Sequence, residues 1–431
     1  MCICSKPFYL SKNALEREAN DIDKGGLHLQ AVGIVVEYNP FHNGHAYHLE
    51  QAKKVAQADI VIAVMSGDFL QRGEPAMVDK WTRTKMALAG GVDIVIELPY
   101  VYSTAPATDF AKGAISILSG IGCDSFAFGS EDGSIQPFMN TFQLINSHRT
   151  EYNALIKESL KTGASYPKSL HYAYEQLSQK FPAAYIDLGQ PNNILGFHYI
   201  EAAKTLASNI KPLTIPRIVA GYHDAIQEGA SIASATGIRK ALATTSALQN
   251  VQEFLPKASF IHLADWHGKY GEFASWETFW PLLQFTLIRH TPSELTRYAE
   301  VTEGIENALI KAAKTSHSFG SFMEKIKSKR YTWTRLQRML THIYTGFTKE
   351  QLQSFDAPSS IRLLGMSKQG QAYLGMHKKN IPLPLISRVA AMDDAMLAVD
   401  IHAAEVYNLS IEQRSKGQSL PKDYQTPPIR F

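Results

Sequence analysis

One feature near the start of the chain constrains its fold more than any other: apolar runs alternate regularly with helix-like stretches. "AVGIVVE" (31–37) is short and β-branched, and the helix-like "NGHAYHLEQAKKVA" follows it. "ADIVIAVMSG" (58–67) leads into "VDKWTRTKMALAGG", "VDIVIELP" (92–99) into "ATDFAKGAISILSGIG", and "CDSFAFGSED" (123–132) makes a fourth run. Runs of this kind, without polar alternation, are strands buried on both faces, and helical crossovers between them make successive strands parallel. The expected fold is α/β with a parallel sheet. Helical periodicity takes over from about 136 to 208. "IKPLTIPRI" (210–218) then reads as a fifth strand, and "SATGIRKALATT" (234–245) as a helix capped by its first serine.

From about 246 to 350 the sequence is mostly helical. A small mixed α/β tail follows, with "SSIRLLGMS" (359–367) and "IPLPLIS" (381–387) as candidate strands. Three segments are expected: a polar N-terminal extension over 1–30, broken off by Gly25-Gly26, an α/β domain over 31–245, and a mainly helical region over 246–431. With 45% hydrophobic residues among 431, the chain can bury substantial cores. Its net charge is only +3, so a nucleic-acid partner has to be met by a local patch. No apolar run approaches the ~20 residues that span a bilayer, and the first residues lack the pattern of a secretory signal. Cys2, Cys4 and Cys123 form neither a disulfide framework nor a zinc pattern. They are expected to be free thiols in a reducing cytoplasm, with no membrane association.

In an open parallel sheet the ligand crevice lies beyond the carboxyl ends of the strands, where "EYNPFHNGH" (37–45) sits. Pro40 stops the strand, because it cannot donate to the ladder. Gly44 lets the backbone approach a ligand at a helix start, where free amides favour phosphate. His42 and His45 can both donate to the same anion, an arrangement suited to charge stabilisation in nucleotidyl transfer. A metal reading of His42, His45 and His48 lacks any accompanying Cys, Asp or Glu, so no metal site is assigned.

"SIASATGIR" (231–239) places Ser234 at a helix cap and Arg239 as a fixed charge. "SGDFLQRGEPAMVDKW" (66–81) brings Asp68, Gln71, Arg72, Glu74 and Lys80 to the loop after the second strand, either as site residues or as a solvated loop. "GMSKQG" (365–370) reads as a loop with Lys368 on the surface. "KIKSKRYTWTRLQRML" (325–340) carries Lys325, Lys327, Lys329, Arg330, Arg335 and Arg338 with no acid among them, and Tyr331 and Trp333 interleaved. Alone it is a solvated face. Beside a phosphate-handling core it reads as a surface for RNA, with cations on phosphates and aromatics on unpaired bases.

"PFHNGH" resembles the H-x-G-H signature of the nucleotidylyltransferase superfamily, whose core is shared with class I aminoacyl-tRNA synthetases. The resemblance implies a Rossmann-like nucleotidyltransferase core. "GIVVEYNPFHNGHAYH" (33–48), with "SGDFLQRGEPAMVDKWTR" (66–83), "DIVIELPYVYS" (93–103), "FAFGSE" (126–131), "PNNILGFHYI" (191–200) and "PRIVAGYHD" (216–224), is similar more narrowly to the bacterial tRNA(Met) cytidine acetate ligases.

That resemblance implies a two-step reaction. ATP and acetate give acetyl-adenylate and pyrophosphate, and the acetyl group then passes to the wobble cytidine of elongator tRNA(Met). It makes His42 and His45 catalytic. It assigns ATP contacts to Val35, Val36, Glu37, Tyr38, Asn39, Pro40, Phe41, His42, Asn43, Gly44, His45, Ala46, Tyr47 and His48, and also to Gly129, one of Asn192 and Asn193, Arg217 and Ile218. "SIASATGIR" resembles the second signature of the superfamily, which adds Ser234 and Arg239. The basic run then reads as tRNA-binding through Lys325, Lys327, Lys329, Arg330, Trp333, Arg335 and Arg338. Mg²⁺ is expected with ATP, although no residue pattern assigns it ligands, and no obligatory protein partner is evident. Two alternatives remain: a small-molecule adenylyltransferase of the pantetheine-phosphate or nicotinamide-nucleotide kind, and a non-catalytic RNA-binding protein on this fold. The long helical region argues against the first. The intact set of His42, Gly44, His45 and Arg239 argues against the second.

Overall fold

Five parallel strands form the centre of the structure: β1 (Ala31–Val36), β2 (Ile60–Ser66), β3 (Ile94–Leu98), β4 (Ser125–Ser130) and β5 (Lys211–Pro216). The computed structural model describes residues 29–164, 166–206, 208–217, 233–245, 248–302, 304–328, 330–415 and 417–431. Most of the expected extension over 1–30, with Cys2 and Cys4, lies outside the described residues, and so do Ile218 and Lys329.

Every residue of β2 and β3 is buried, as strands covered on both faces require. The helix Asn43–Ala56 packs on β1, β2, β4 and β5. The helix Ala107–Gly120 carries the chain from β3 back across β1 to β4, and right-handed crossover places it on the opposite face. Gly33 admits it there, since a Cβ would stand 2.5 Å from Leu118 Cδ2. The sheet order is β5-β4-β1-β2-β3, followed by two C-terminal strands. Strand succession therefore reverses between β1 and β4, and the loops leaving these strands diverge around a crevice.

The boundary expected at 245 does not divide this sheet. β6 (Ile361–Met366) lies antiparallel beside β3, and β7 (Leu385–Ile386) and β8 (Ile429–Arg430) both pair with β6. Four buried charges bind this tail to the core. Lys80 Nζ lies 2.8 Å from Glu97 and 3.1 Å from Asp423, while Arg362 lies 3.0 Å from Glu97 and 2.8 Å from Asp423. The helix Ala395–Glu412 adds Asp400, which accepts Tyr100 N–H at 2.6 Å, and Tyr407, whose hydroxyl donates to Ala76 O at 2.7 Å.

The helical region docks through the loop after β2. Phe69 inserts its ring among Phe279, Tyr344 and Tyr407, at centroid distances of 6.1, 6.2 and 6.0 Å. Gly73 O accepts from Trp276 Nε1 at 2.9 Å and Thr341 Oγ1 at 2.8 Å. A side chain could not replace the hydrogen of Gly73: its φ is +75°, and a Cβ would stand 2.2 Å from Arg338 N. "GMSKQG" is not a loop as expected. Ser367 caps the helix Lys368–His377, accepting Gly370 N–H at 3.0 Å, although Lys368 itself is exposed.

Candidate active site

The turn at the carboxyl end of β1 is built by its own histidines. His42 caps the helix Asn43–Ala56: its Nδ1 accepts Gly44 N–H at 3.0 Å, and His45 Nδ1 accepts His42 N–H at 3.4 Å. The two rings lie 3.8 Å apart, centroid to centroid. An Nδ1 that accepts a hydrogen bond leaves the proton of a neutral imidazole on Nε2, so both rings present N–H donors. Burial, then Arg217 and Arg239, hold His42 down at about 3. Burial, then His42, His48 and Arg217, hold His45 well below the ordinary range, against a smaller opposing pull from the Pro40 carbonyl. The pair is neutral near pH 7, and a phosphate seated against it would raise both rings. Tyr38, at a φ of 51°, props His45 edge-on at 5.0 Å.

Opposite this turn, across the switch point, stand Gly129, His48, Arg217 and Asn192. A Cβ on Gly129 would touch Arg217 Cγ at 3.4 Å and His48 Cδ2 at 3.7 Å, so glycine keeps the floor of the crevice open. His48 is held at about 4 by burial and then by Arg217, and its Nε2 is buried with no hydrogen-bond partner among the described residues. Arg217 Nη1 donates to Asn192 Oδ1 at 2.8 Å. Asn193 is spent elsewhere. Its Oδ1 accepts Glu131 N–H at 3.1 Å, and its Nδ2 donates to Asp132 at 2.8 Å and to Asp187 O at 3.2 Å. Of the two asparagines, Asn192 is the one that lies with Arg217.

Arg239 closes the crevice from the helix Ala235–Thr245, which Ser234 caps by accepting Gly237 N–H at 3.1 Å. Its guanidinium donates to Asn39 O at 2.9 Å and to Glu74 at 3.2 Å, joining the loops after β1 and β2. Within 35–48, Val36, Tyr38, Asn39, Pro40, Phe41 and His42 are buried. Phe41 packs against Gly90, and Asn39 Oδ1 accepts Met77 N–H at 2.8 Å. Val35, Ala46 and Tyr47 pack partly buried on the core, and Asn43 Nδ2 donates to Glu253 O at 2.8 Å.

The HIGH Nucleotidyl Transferase family matches residues 29–422. A tRNA(Met) cytidine acetate ligase of Lysinibacillus sphaericus is 83% identical over 402 residues, covering 93% of this chain and all of that relative. The chain belongs to the tRNA(Met) cytidine acetate ligase family. A Bacillus subtilis relative of the same name is 46% identical over 408 residues, covering 94% of this chain and 98% of its own length. Crystal structures of Thermotoga maritima TmcAL superpose on the chain with TM-scores of 0.85 for the form bound with alpha-thio ATP and 0.86 for the apo form. Each is 31% identical and spans 94% of this chain and all of the other.

Sequence reasoning about this ligase fold missed Arg83, which nothing in "VDKWTR" marks out. It is fully buried, and its guanidinium donates to Glu37 O and Ser66 O at 2.9 Å, to Val78 O at 3.1 Å, and to Gly67 O. Arg83 thereby ties together the loops leaving β1 and β2. Of the candidates in "SGDFLQRGEPAMVDKW", Asp68 is buried under Lys80 N–H at 2.7 Å, and burial pushes its carboxyl up to about 7. Lys80 belongs to the buried charge cluster described above. Gln71 N–H holds Glu37, and Glu74 holds Arg239.

The basic run divides into two sets. Arg338 is buried against Glu300, with bonds of 2.7 and 3.0 Å, so it is not an open phosphate contact as expected. Tyr331 is buried too, and its hydroxyl donates to Thr302 O at 3.1 Å, which removes it as a stacking platform. Tyr331 precedes the helix Trp333–Thr345 and Arg338 lies within it, both turned to its buried side. Lys325, Lys327 and Arg330 are exposed, as is Trp333, while Arg335 lies over Tyr331 with its charge 5.0 Å from the ring. Lys327 Nζ donates to Ser328 O and Tyr331 O, and so shapes the turn.

Proposed function

We propose that the chain is an ATP-dependent acetate ligase acting on elongator tRNA(Met): it forms acetyl-adenylate and then acetylates the wobble cytidine at N4. The observation that carries this reading is the His42–His45 donor pair at the switch point, facing Arg217 and Asn192. Donors aimed at a triphosphate stabilise the charge that develops when a carboxylate displaces pyrophosphate. His42 and His45 serve the α-phosphate, Arg239 and the amides capped by Ser234 serve the leaving phosphates, and Gly129, His48, Arg217 and Asn192 hold the nucleoside. Mg²⁺ is expected as the companion of the triphosphate. The described residues gather no group of three His, Cys, Asp or Glu fit to hold it, and no step here runs through it. No helix among the described residues is long and apolar enough to cross a membrane, and the reading places the enzyme in the cytoplasm.

Incubation with ATP, labelled acetate and total tRNA is expected to place label in N4-acetylcytidine. Pyrophosphate exchange without label in RNA would favour a small-molecule adenylyltransferase.

The exposed set around Trp333 is read as the tRNA contact. Base–aromatic stacking contributes ~1–3 kcal/mol, so Trp333→Ala should weaken tRNA binding by about 5- to 150-fold. Lys325→Ser should flatten the slope of log affinity against log salt by ~0.7 if it meets a single-stranded phosphate. Filter binding over a salt series reads both effects. Unchanged affinity in both variants would move the RNA surface elsewhere.

A further inference from the structure

Acetyl transfer needs a proton acceptor, which the phosphate-binding residues do not supply. When the cytidine amine attacks the acetyl carbonyl carbon, the nitrogen gains a positive charge and becomes strongly acidic. Unless that proton leaves, the amine is itself expelled when the carbonyl re-forms. His42 and His45 spend their Nδ1 acceptors on backbone N–H groups. Glu74 is paired with Arg239 at 3.2 Å, Glu131 receives Asn193 N–H at 2.9 Å as well as Asn192, and Asp132 receives Asn193 Nδ2 at 2.8 Å. Asp68 is buried, under Lys80 N–H and beside Arg83.

Glu37 differs from all of these, and from His48, whose Nε2, unpartnered among the described residues, is buried beside Arg217. It follows β1 directly and, by strand alternation, shares the face of Gly33 and Val35, away from the helix Asn43–Ala56. Its Oε1 accepts Gln71 N–H at 2.8 Å, and its Oε2 has no hydrogen-bond partner among the described residues. The side chain is half-buried, with its charge within reach of Arg239. The loop that holds it is the one that Gly73 seats against Trp276 and Thr341 of the helical region. Through Gln71, Glu37 is thus tied to the loop on which the helical region is seated.

We propose that Glu37 is the general base of acyl transfer. The amine nitrogen forms a C–N bond to the acetyl carbon, and the carbonyl π electrons move to oxygen. Glu37 Oε2 takes the amine proton, the carbonyl re-forms, and the C–O bond to phosphate breaks with AMP leaving on its electron pair. The products are N4-acetylcytidine, AMP and protonated Glu37, which returns its proton to water.

The electrostatics suit this role. Burial raises the Glu37 carboxyl, Gln71 N–H lowers it, and the charges facing it are Arg72 and Glu74 from the loop after β2 and Arg239 from the helix Ala235–Thr245. Tyr199, from the helix Pro191–Thr205, also lies within reach of the Glu37 charge. The net shift is upward, which makes the carboxylate a stronger base.

The inference rests on the acetate ligase reading and is tested separately from it. Glu37→Gln keeps an oxygen for Gln71 N–H but cannot take a proton. Single-turnover transfer from preformed acetyl-adenylate to tRNA should fall by ~10²–10⁴-fold, a clearly larger factor than any loss of acetate-dependent pyrophosphate exchange. The wild-type transfer rate should rise with pH through an apparent pKa above the ordinary carboxylate value and then level off, and this limb should vanish in Glu37→Gln. Unchanged transfer, or an equal loss of transfer and exchange, would overturn the assignment. If the variant does not fold, a flat wild-type profile from pH 4.5 to 8 would overturn it equally. Loss of labelled nucleoside in wild type would instead strike the acetate ligase reading itself.

Discussion

Replacing His45 with alanine is expected to lower acetate-dependent pyrophosphate exchange by ~10²–10³-fold, the usual cost of losing one donor to a developing oxyanion. The loss should be larger than for most neighbours, because His45 acts twice. It offers an Nε2–H to the phosphate, and its Nδ1 accepts the N–H of His42, which fixes the cap of the helix. His45→Asn separates the two roles, since an amide can still accept from His42 but places its donor elsewhere. Exchange in the asparagine variant should therefore stay close to that of alanine, while its melting temperature stays close to wild type. Wild-type exchange in His45→Ala would remove His45 from the chemistry.

The first three strands were legible because strands buried on both faces are written as nearly unbroken apolar runs. The turn after β1 was legible for a similar reason, since Pro40, Gly44 and the two histidines shape it within a few residues of each other. What escaped depends on distant partners. "SSIRLLGMS" reads as a strand, yet nothing local says that it pairs antiparallel with β3, which rests on Lys80, Glu97 and Asp423 far away in sequence. Asn192 and Asn193 are indistinguishable by composition. Only Glu131 and Asp132, folded against the start of their helix, commit the Asn193 side chain inward, while the Asn192 oxygen accepts from Arg217. Arg338 looked like part of a basic face, but its helix turns it toward Glu300, 38 residues earlier.

The buried cluster that joins the C-terminal tail to the sheet supports the other large prediction. Lys80, Glu97, Arg362 and Asp423 are almost wholly buried and carry two charges of each sign. Burial and Arg362 press the Lys80 ammonium down, but Asp423, Glu97 and Asp68 outweigh them, so it stays charged. Burial and then Glu97 push the carboxyl of neighbouring Asp400 far up, and it accepts Tyr100 N–H at 2.6 Å. Lys80→Met removes one cation of similar length and leaves two buried carboxylates facing Arg362 alone. Breaking a buried pair in this way costs ~3–5 kcal/mol, read as a lower urea midpoint. Because β6 and β8 are held by this cluster, the tail should open first, and amide exchange should rise across 361–366 and 429–430 before it rises in β1. Adding Glu97→Gln restores one charge of each sign, so the double variant should be more stable than Lys80→Met alone. If the second change instead adds its full cost to the first, the four groups do not act as a charge-balanced set and the tail is held by apolar packing.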